Sequence, residues 1–161
     1  MEGRIQSYPP VVNEGSRVLI VGSMPSVESL RCGFYYAHPR NAFWRILSEA
    51  FERPMPQTID EKKRLILDNH LALWDVYASC ERQGSLDSAI KNGSINDFAA
   101  FFLRYPAIRV VLANGTQAFN AFPKGCNLKV LRMPSTSPAY TKPYQEKSEI
   151  WNRALHTCLE G

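Results

Sequence analysis

Residues 17–51 read RVLIVGSMPSVESLRCGFYYAHPRNAFWRILSEAF, and the change of pattern inside this stretch decides the fold. Val18-Leu19-Ile20-Val21 is a short aliphatic run without polar alternation, as expected of a strand buried on both faces. Gly22-Ser23-Met24-Pro25 ends it, since glycine permits turns that other residues resist and proline blocks continuation of a strand. A polar and aromatic loop follows and closes on Tyr35-Tyr36-Ala37-His38-Pro39-Arg40-Asn41. Phe43, Trp44, Ile46, Leu47, Ala50 and Phe51 then recur at helical spacing, predicting a helix over 41–51 with one apolar face. A strand opening into a long loop of aromatics and hydrogen-bonding groups, pinned by a helix, marks a ligand site.

The same alternation continues along the chain. Leu71–Val76, Arg109–Ala113 and Leu128–Met133 read as three further strands. Thr58 stands three residues before Glu61, the spacing of a capping box, and predicts a helix through Leu65, Ile66 and Leu67. Ser94 with Asp97 predicts another, with Ile95, Phe98, Phe101 and Phe102 facing inward and Pro106 ending it. Thr116–Phe122 and a last segment carrying Ile150, Trp151, Ala154, Leu155 and Cys158 complete the helices. Met1–Ser16, with Pro9-Pro10, reads as an irregular lead-in packed on the domain edge, and Tyr77–Gly93 as a polar loop. Strands alternating with helices predict right-handed crossovers and a parallel sheet covered on both faces. Ligands of such sheets bind beyond the carboxyl ends of the strands. Three of the four strands end in a polar loop there: GSMPS, ANGTQA and MPSTSPAY.

At 161 residues the chain is expected to form one domain, 1–161, with a core that needs no disulfide or metal staple. A hydrophobic share of 45% and a charged share of 21% place it among ordinary globular proteins. The net charge of +4 suits a polyanionic partner without requiring one. Cys32, Cys80, Cys126 and Cys158 form no C-x-x-C pair, which argues against a zinc ribbon or iron–sulfur cluster and for thiols in a reduced cytosol. No stretch has a signal-peptide signature or the length to span a bilayer, so a cytoplasmic protein is expected.

Several chemistries are excluded by their motifs. No G-x-x-x-x-G-K-S/T or G-x-G-x-x-G loop is present. Ser23 follows a glycine but lacks the second glycine of a nucleophile elbow. His38, His70 and His156 lie on separate elements without metal-ligand spacing. What remains is a pocket of amides, aromatics, hydroxyls and one histidine. Such a set suits a flat hydrogen-bonding ring, because an amide pairs with a base edge and an aromatic stacks on its face.

The segments GSMPSVESLRCGFYYAHPRNAFWRIL, LANGTQAF and MPSTSPAYT together resemble the uracil-DNA glycosylase superfamily, from Arg17 to about Trp151. Within it they resemble the mismatch-specific branch, and most closely the hypoxanthine-DNA glycosylases. The resemblance implies a three-layer α/β/α sandwich around a central, mostly parallel four-stranded sheet. It implies hydrolysis of the N-glycosidic bond of a deaminated base flipped out of double-stranded DNA, with hypoxanthine favoured and no metal or redox cofactor. It assigns Asn41 as the main catalytic residue, although Asn41 is also well placed to cap the following helix and can do both. Ser23, Met24, Tyr36, His38 and Asn114 would line the base, Tyr36 by stacking. Ser135, Thr136 and Ser137 would hold phosphates, and Ala139 or Tyr140 would fill the gap left by the flipped base. Met24 departs from the polar Asn or Asp by which many relatives position water. A uracil or xanthine glycosylase of the same fold, and a lesion-binding module without activity, therefore stay open, as more remotely does an unrelated small-molecule hydrolase. No lysine stands where a Schiff base with the sugar would form, and a monomer is expected.

Overall fold

The four apolar runs become the four strands of one parallel sheet. A computed structural model describes residues 4–160; the first three residues of the expected lead-in and domain, and Gly161 at its end, lie outside the described residues. In chain order the elements are β1 (Ile5–Gln6), β2 (Val18–Gly22), α1 (Val27–Cys32), α2 (Phe43–Ala50) and α3 (Ile59–Asp68). Next come β3 (Leu71–Asp75), β4 (Tyr77–Glu81), β5 (Lys91–Ile95) and α4 (Phe98–Arg104). The chain finishes with β6 (Val110–Asn114), α5 (Thr116–Ala121), β7 (Lys129–Met133) and α6 (Tyr144–Glu160).

The central sheet has the order β3-β2-β6-β7, and every pair in it is parallel. Alternate residues of each strand feed two separate cores. Val18, Ile20, Leu71, Leu73 and Leu112 join Phe43, Ile46, Ile66, Trp151 and Leu155 from α2, α3 and α6. Leu19, Val21, Ala72, Val111 and Ala113 join Phe98, Phe101 and Ala118 from α4 and α5. A sheet buried on both faces needs apolar residues at consecutive positions, which is why these strands show no alternation. The result is the expected α/β/α sandwich.

Helix starts follow the side chains that satisfy their first N–H groups. Thr58 Oγ1 accepts from Glu61 N at 3.1 Å, and the Glu61 carboxylate reaches back to Gln57 N, also at 3.1 Å. Asp97 Oδ1 accepts from Ala100 N at 3.0 Å, so α4 starts at Phe98 and not at Ser94. Ser94 and Ile95 belong instead to β5, where Ile95 is exposed; this corrects the expected inward-facing Ile95. Ile150, expected on the inner face of α6, is also exposed. That face is carried by Trp151 and Leu155, four residues apart.

The expected polar loop over 77–93 is a second sheet. β4 pairs antiparallel with β1 and β5, giving the order β1-β4-β5. Every residue of β5 is exposed, so no hydrophobic pattern announces the strand. Pairing instead follows a close fit, since a Cβ on Gly93 would lie 2.3 Å from the Tyr77 ring. The lead-in also covers the open edge of β3, where Val11 and Leu73 exchange both backbone hydrogen bonds at 2.9 Å. No helix among the described residues is long and apolar enough to cross a membrane.

Candidate active site

All four parallel strands end at one cavity of about 310 Å³. β2 delivers Gly22 and Ser23, β3 delivers Asp75, β6 delivers Asn114, and β7 leads into the loop 134–140. Gly22 and Asp75 are register partners at the strand ends. The loop between α1 and α2 adds Tyr36 and Asn41 to the walls, and the connection between β4 and β5 adds Ser85, Asp87 and Ser88.

Glycine at position 22 is required by proximity. A Cβ there would stand 2.6 Å from Tyr36 Oη and 2.7 Å from Asp75 Oδ1, so only a bare backbone lets both groups meet over the strand end. The Tyr36 ring stacks on Phe43, with centroids 4.1 Å apart, and its backbone sits in the left-handed region at φ 52°. A non-glycine residue held there costs free energy that the surrounding packing must offset, a pattern typical of functional sites. Burial raises the Tyr36 hydroxyl's pKa, helped by the charge of Asp75 and opposed by the nearby Asn114 amide, so it stays protonated.

Asn41 lines the cavity, and its Oδ1 accepts from Phe43 N at 3.0 Å. It therefore fixes the entry to α2 while keeping its Nδ2 for a ligand or water, and both roles foreseen for it coexist. His38 lies elsewhere. Its Nδ1 accepts from Arg40 N at 3.0 Å, which shapes the turn into Asn41, and it is not part of the cavity lining.

Asn114 lines the cavity and spends its oxygen and one amide hydrogen on scaffolding. Its Nδ2 donates to Thr136 Oγ1 and its Oδ1 accepts from Thr136 N, both at 3.0 Å, which locks the end of β6 to the loop after β7. That loop is tied down further from three sides. Ala42 N donates to Thr136 O at 3.0 Å, Trp151 Nε1 donates to Pro134 O at 2.8 Å, and Lys147 Nζ donates to Ser137 O at 3.1 Å. Within it, Ser135 Oγ accepts from Ser137 N and Ser137 Oγ accepts from Ala139 N, each at 3.1 Å. Both hydroxyls keep their own hydrogen for donation at the cavity, while Tyr140 is exposed at its rim.

This fold and loop set carry a family signature. Residues 9–155 match the family described as "Uracil DNA glycosylase superfamily". The chain belongs to that superfamily. A hypoxanthine DNA glycosylase of Methanosarcina acetivorans is 34% identical over 149 residues, covering 91% of this chain and 94% of its own. A hypoxanthine DNA glycosylase of Methanosarcina barkeri is 34% identical over 156 residues, covering 93% and 97%. A solution NMR structure from Methanosarcina acetivorans, provisionally described as a uracil DNA glycosylase, superposes with a TM-score of 0.84 at 30% identity. The superposition covers 99% of this chain and 100% of that one.

For a uracil-DNA glycosylase superfamily member, two cavity residues escaped the sequence reading, Asp87 and Asp75. Met24, buried in the wall, offers no hydrogen-bonding group worth naming, as its side chain implies. Ser23 instead turns its hydroxyl to Asp87 Oδ1 at 2.6 Å. Asp87 comes from the connection between β4 and β5, a stretch without periodicity that contains no local motif. Asp75 was hidden in the opposite way, as the one charge inside the run LALWDV. A charged residue closing an otherwise buried strand was the available signal. Lys147, 95% shielded from solvent, is spaced by four from Trp151 and braces the 134–140 loop from below.

Proposed function

We propose that this chain is a monofunctional DNA glycosylase that removes hypoxanthine from double-stranded DNA in base excision repair. The observation that carries this reading is the single cavity joining Tyr36 and Asn41 to the serine loop 135–140 at the carboxyl ends of four parallel strands. Its volume of about 310 Å³ is at the small end of ligand pockets, which suits one extruded nucleotide. Hypoxanthine is favoured by the names of the two relatives that are 34% identical over nine-tenths of this chain, while the structural neighbour is described as a uracil DNA glycosylase.

In this reading the bond between the base nitrogen and C1′ breaks and the electron pair leaves on the base. The sugar becomes oxocarbenium-like, and water adds to C1′ and releases a proton. No side chain need bond to the sugar. The Asn41 amide orients the water, and the walls hold base and sugar in line with it. Ser135 and Ser137 donate to phosphates flanking the lesion, and Tyr140 at the rim enters the vacated stack. A monomer working in the reducing cytoplasm, with the whole activity in one domain, completes the proposal.

The expected product is an abasic site in an unbroken strand, with free hypoxanthine released; strand cleavage only after alkali checks this. Ser135→Ala should weaken binding of a deoxyinosine duplex by about tenfold, as expected for one lost charge-assisted hydrogen bond, and leave its salt sensitivity unchanged, since a neutral hydroxyl displaces no counterion. A smaller fall in the single-turnover rate should accompany it, whereas an unchanged dissociation constant would remove Ser135 from the phosphate site. Met24 favours one rival, a lesion-binding module, because an apolar side chain stands where many superfamily relatives position water. Tight lesion binding without any base release would select that rival.

A further inference from the structure

Among the described residues, three buried side-chain polar atoms lack a hydrogen-bond partner, and they sit close together: Tyr36 Oη, Asp75 Oδ2 and Arg82 Nη1. Buried polar groups are nearly always paired, so such a cluster needs a reason. Arg82 is spent on structure, donating from Nη2 to Pro25 O at 2.5 Å and from Nε to Gly84 O at 2.7 Å. Asp75 and Tyr36 line the cavity floor over Gly22. Asp75 is 2% exposed, and the structure offers its Oδ2 nothing. Asn114, the other polar group ending a strand here, is already paired with Thr136. Among the described residues, Asp75 is the side chain at the strand ends that lines the cavity with a buried oxygen left without a partner.

We propose that Asp75 is the specificity residue that reads the flipped base, its carboxyl pairing with the lactam edge of hypoxanthine. This rests on the glycosylase reading for the identity of the ligand. A carboxylic acid presents one donor beside one acceptor, and a lactam presents N1–H beside O6. The acid O–H donates to O6 while its carbonyl oxygen accepts from N1–H. Ionised, the same group would face O6 with a second acceptor and repel it.

The surroundings keep the acid neutral. Burial pushes Asp75 up to about 7, the nearby Asp87 carboxylate adds to the rise, and Arg82 partly opposes it. The remaining titratable neighbours are the phenols of Tyr36, Tyr35 and Tyr8, all held neutral by pKa values raised mainly through burial. Ser23 fixes Asp87 through the 2.6 Å hydrogen bond, so the second carboxylate is held as part of the device. Since the folded value lies above the ordinary 3.8, the neutral form dominates below about 7 and is lost as pH rises through it.

The test compares affinity for two duplexes carrying a non-cleavable 2′-fluoroarabino nucleotide opposite the same base. One bears hypoxanthine and the other unsubstituted purine, which lacks both N1–H and O6. Wild type is expected to prefer hypoxanthine at least tenfold at pH 6 and to lose most of that preference by pH 8.5. Asp75→Asn, which keeps a donor beside an acceptor and cannot ionise, should retain the preference at both pH values. Asp75→Leu should lose it at both, with circular dichroism confirming the fold. A preference that survives in Asp75→Leu, or a wild-type preference indifferent to pH, overturns the proposal. Base release from ordinary deoxyinosine duplexes is scored separately. Its absence would refute the glycosylase reading, whereas loss of discrimination by Asp75→Leu would still support lactam recognition.

Discussion

Asn41→Ala is expected to slow release of hypoxanthine by about 10²- to 10³-fold under single-turnover conditions, the usual cost of removing one positioned hydrogen-bonding group from a transition state. DNA affinity should change little, because the phosphate contacts proposed for Ser135 and Ser137 do not use the Asn41 amide. The substitution has a structural component as well. Asn41 Oδ1 accepts from Phe43 N, and losing such a helix-entry contact costs about 1 kcal/mol. Asn41→Asp separates the two effects, since a carboxylate can still accept from Phe43 N but has no amide hydrogens to give. Rates fall in both variants if the Nδ2 group matters, and only Asn41→Ala loses stability. Wild-type rates in both would exclude Asn41 from the chemistry.

Gly22→Ala is the second large effect. The added methyl would meet Tyr36 Oη at 2.6 Å and Asp75 Oδ1 at 2.7 Å. Neither group retreats easily, since the Tyr36 ring is stacked on Phe43 and Asp75 is buried at a strand end. Overpacking of this kind costs about 1–3 kcal/mol, and a shift of the cavity floor by about 1 Å is worth about 10² in rate. A lower unfolding midpoint together with a rate loss near 10² is expected from denaturation and single-turnover assays. A folded variant with unaltered rate would mean that Tyr36 and Asp75 need not meet over Gly22.

The contrast between these two residues shows what could be read from the chain. The central sheet was legible because burial on both faces forces consecutive apolar residues, and VLIV, LALW and VVLA stand out against polar flanks. Loops at the strand ends then followed from parallel topology, which places Ser23, Asn114 and Ser135 near one edge, while Asn41 was indicated only by the family resemblance. The antiparallel sheet was not legible. β5 is solvated on every residue, so its sequence, KNGSI, carries turn-like residues and no period. Asp87 was invisible for the same reason, being brought to Ser23 by that hairpin across 64 residues of chain. Asn114 illustrates a subtler limit. Its type and place suit a base contact, and only the structure shows that its oxygen and one amide hydrogen also hold Thr136.

Roles at the site divide accordingly. Asn114, Lys147 and Trp151 shape and brace the loop, Tyr36 with Asp75 forms the cavity floor, and the proposed mechanism gives Asn41 the reacting bond.

The most direct measurement is single-turnover release of free base by the wild-type protein from otherwise identical duplexes carrying hypoxanthine, xanthine or uracil. Hypoxanthine released fastest, leaving an alkali-labile but unbroken strand, is the predicted result. Uracil released fastest would contradict the assigned substrate. No release from any duplex, at enzyme concentrations that saturate binding, would contradict the assigned reaction itself.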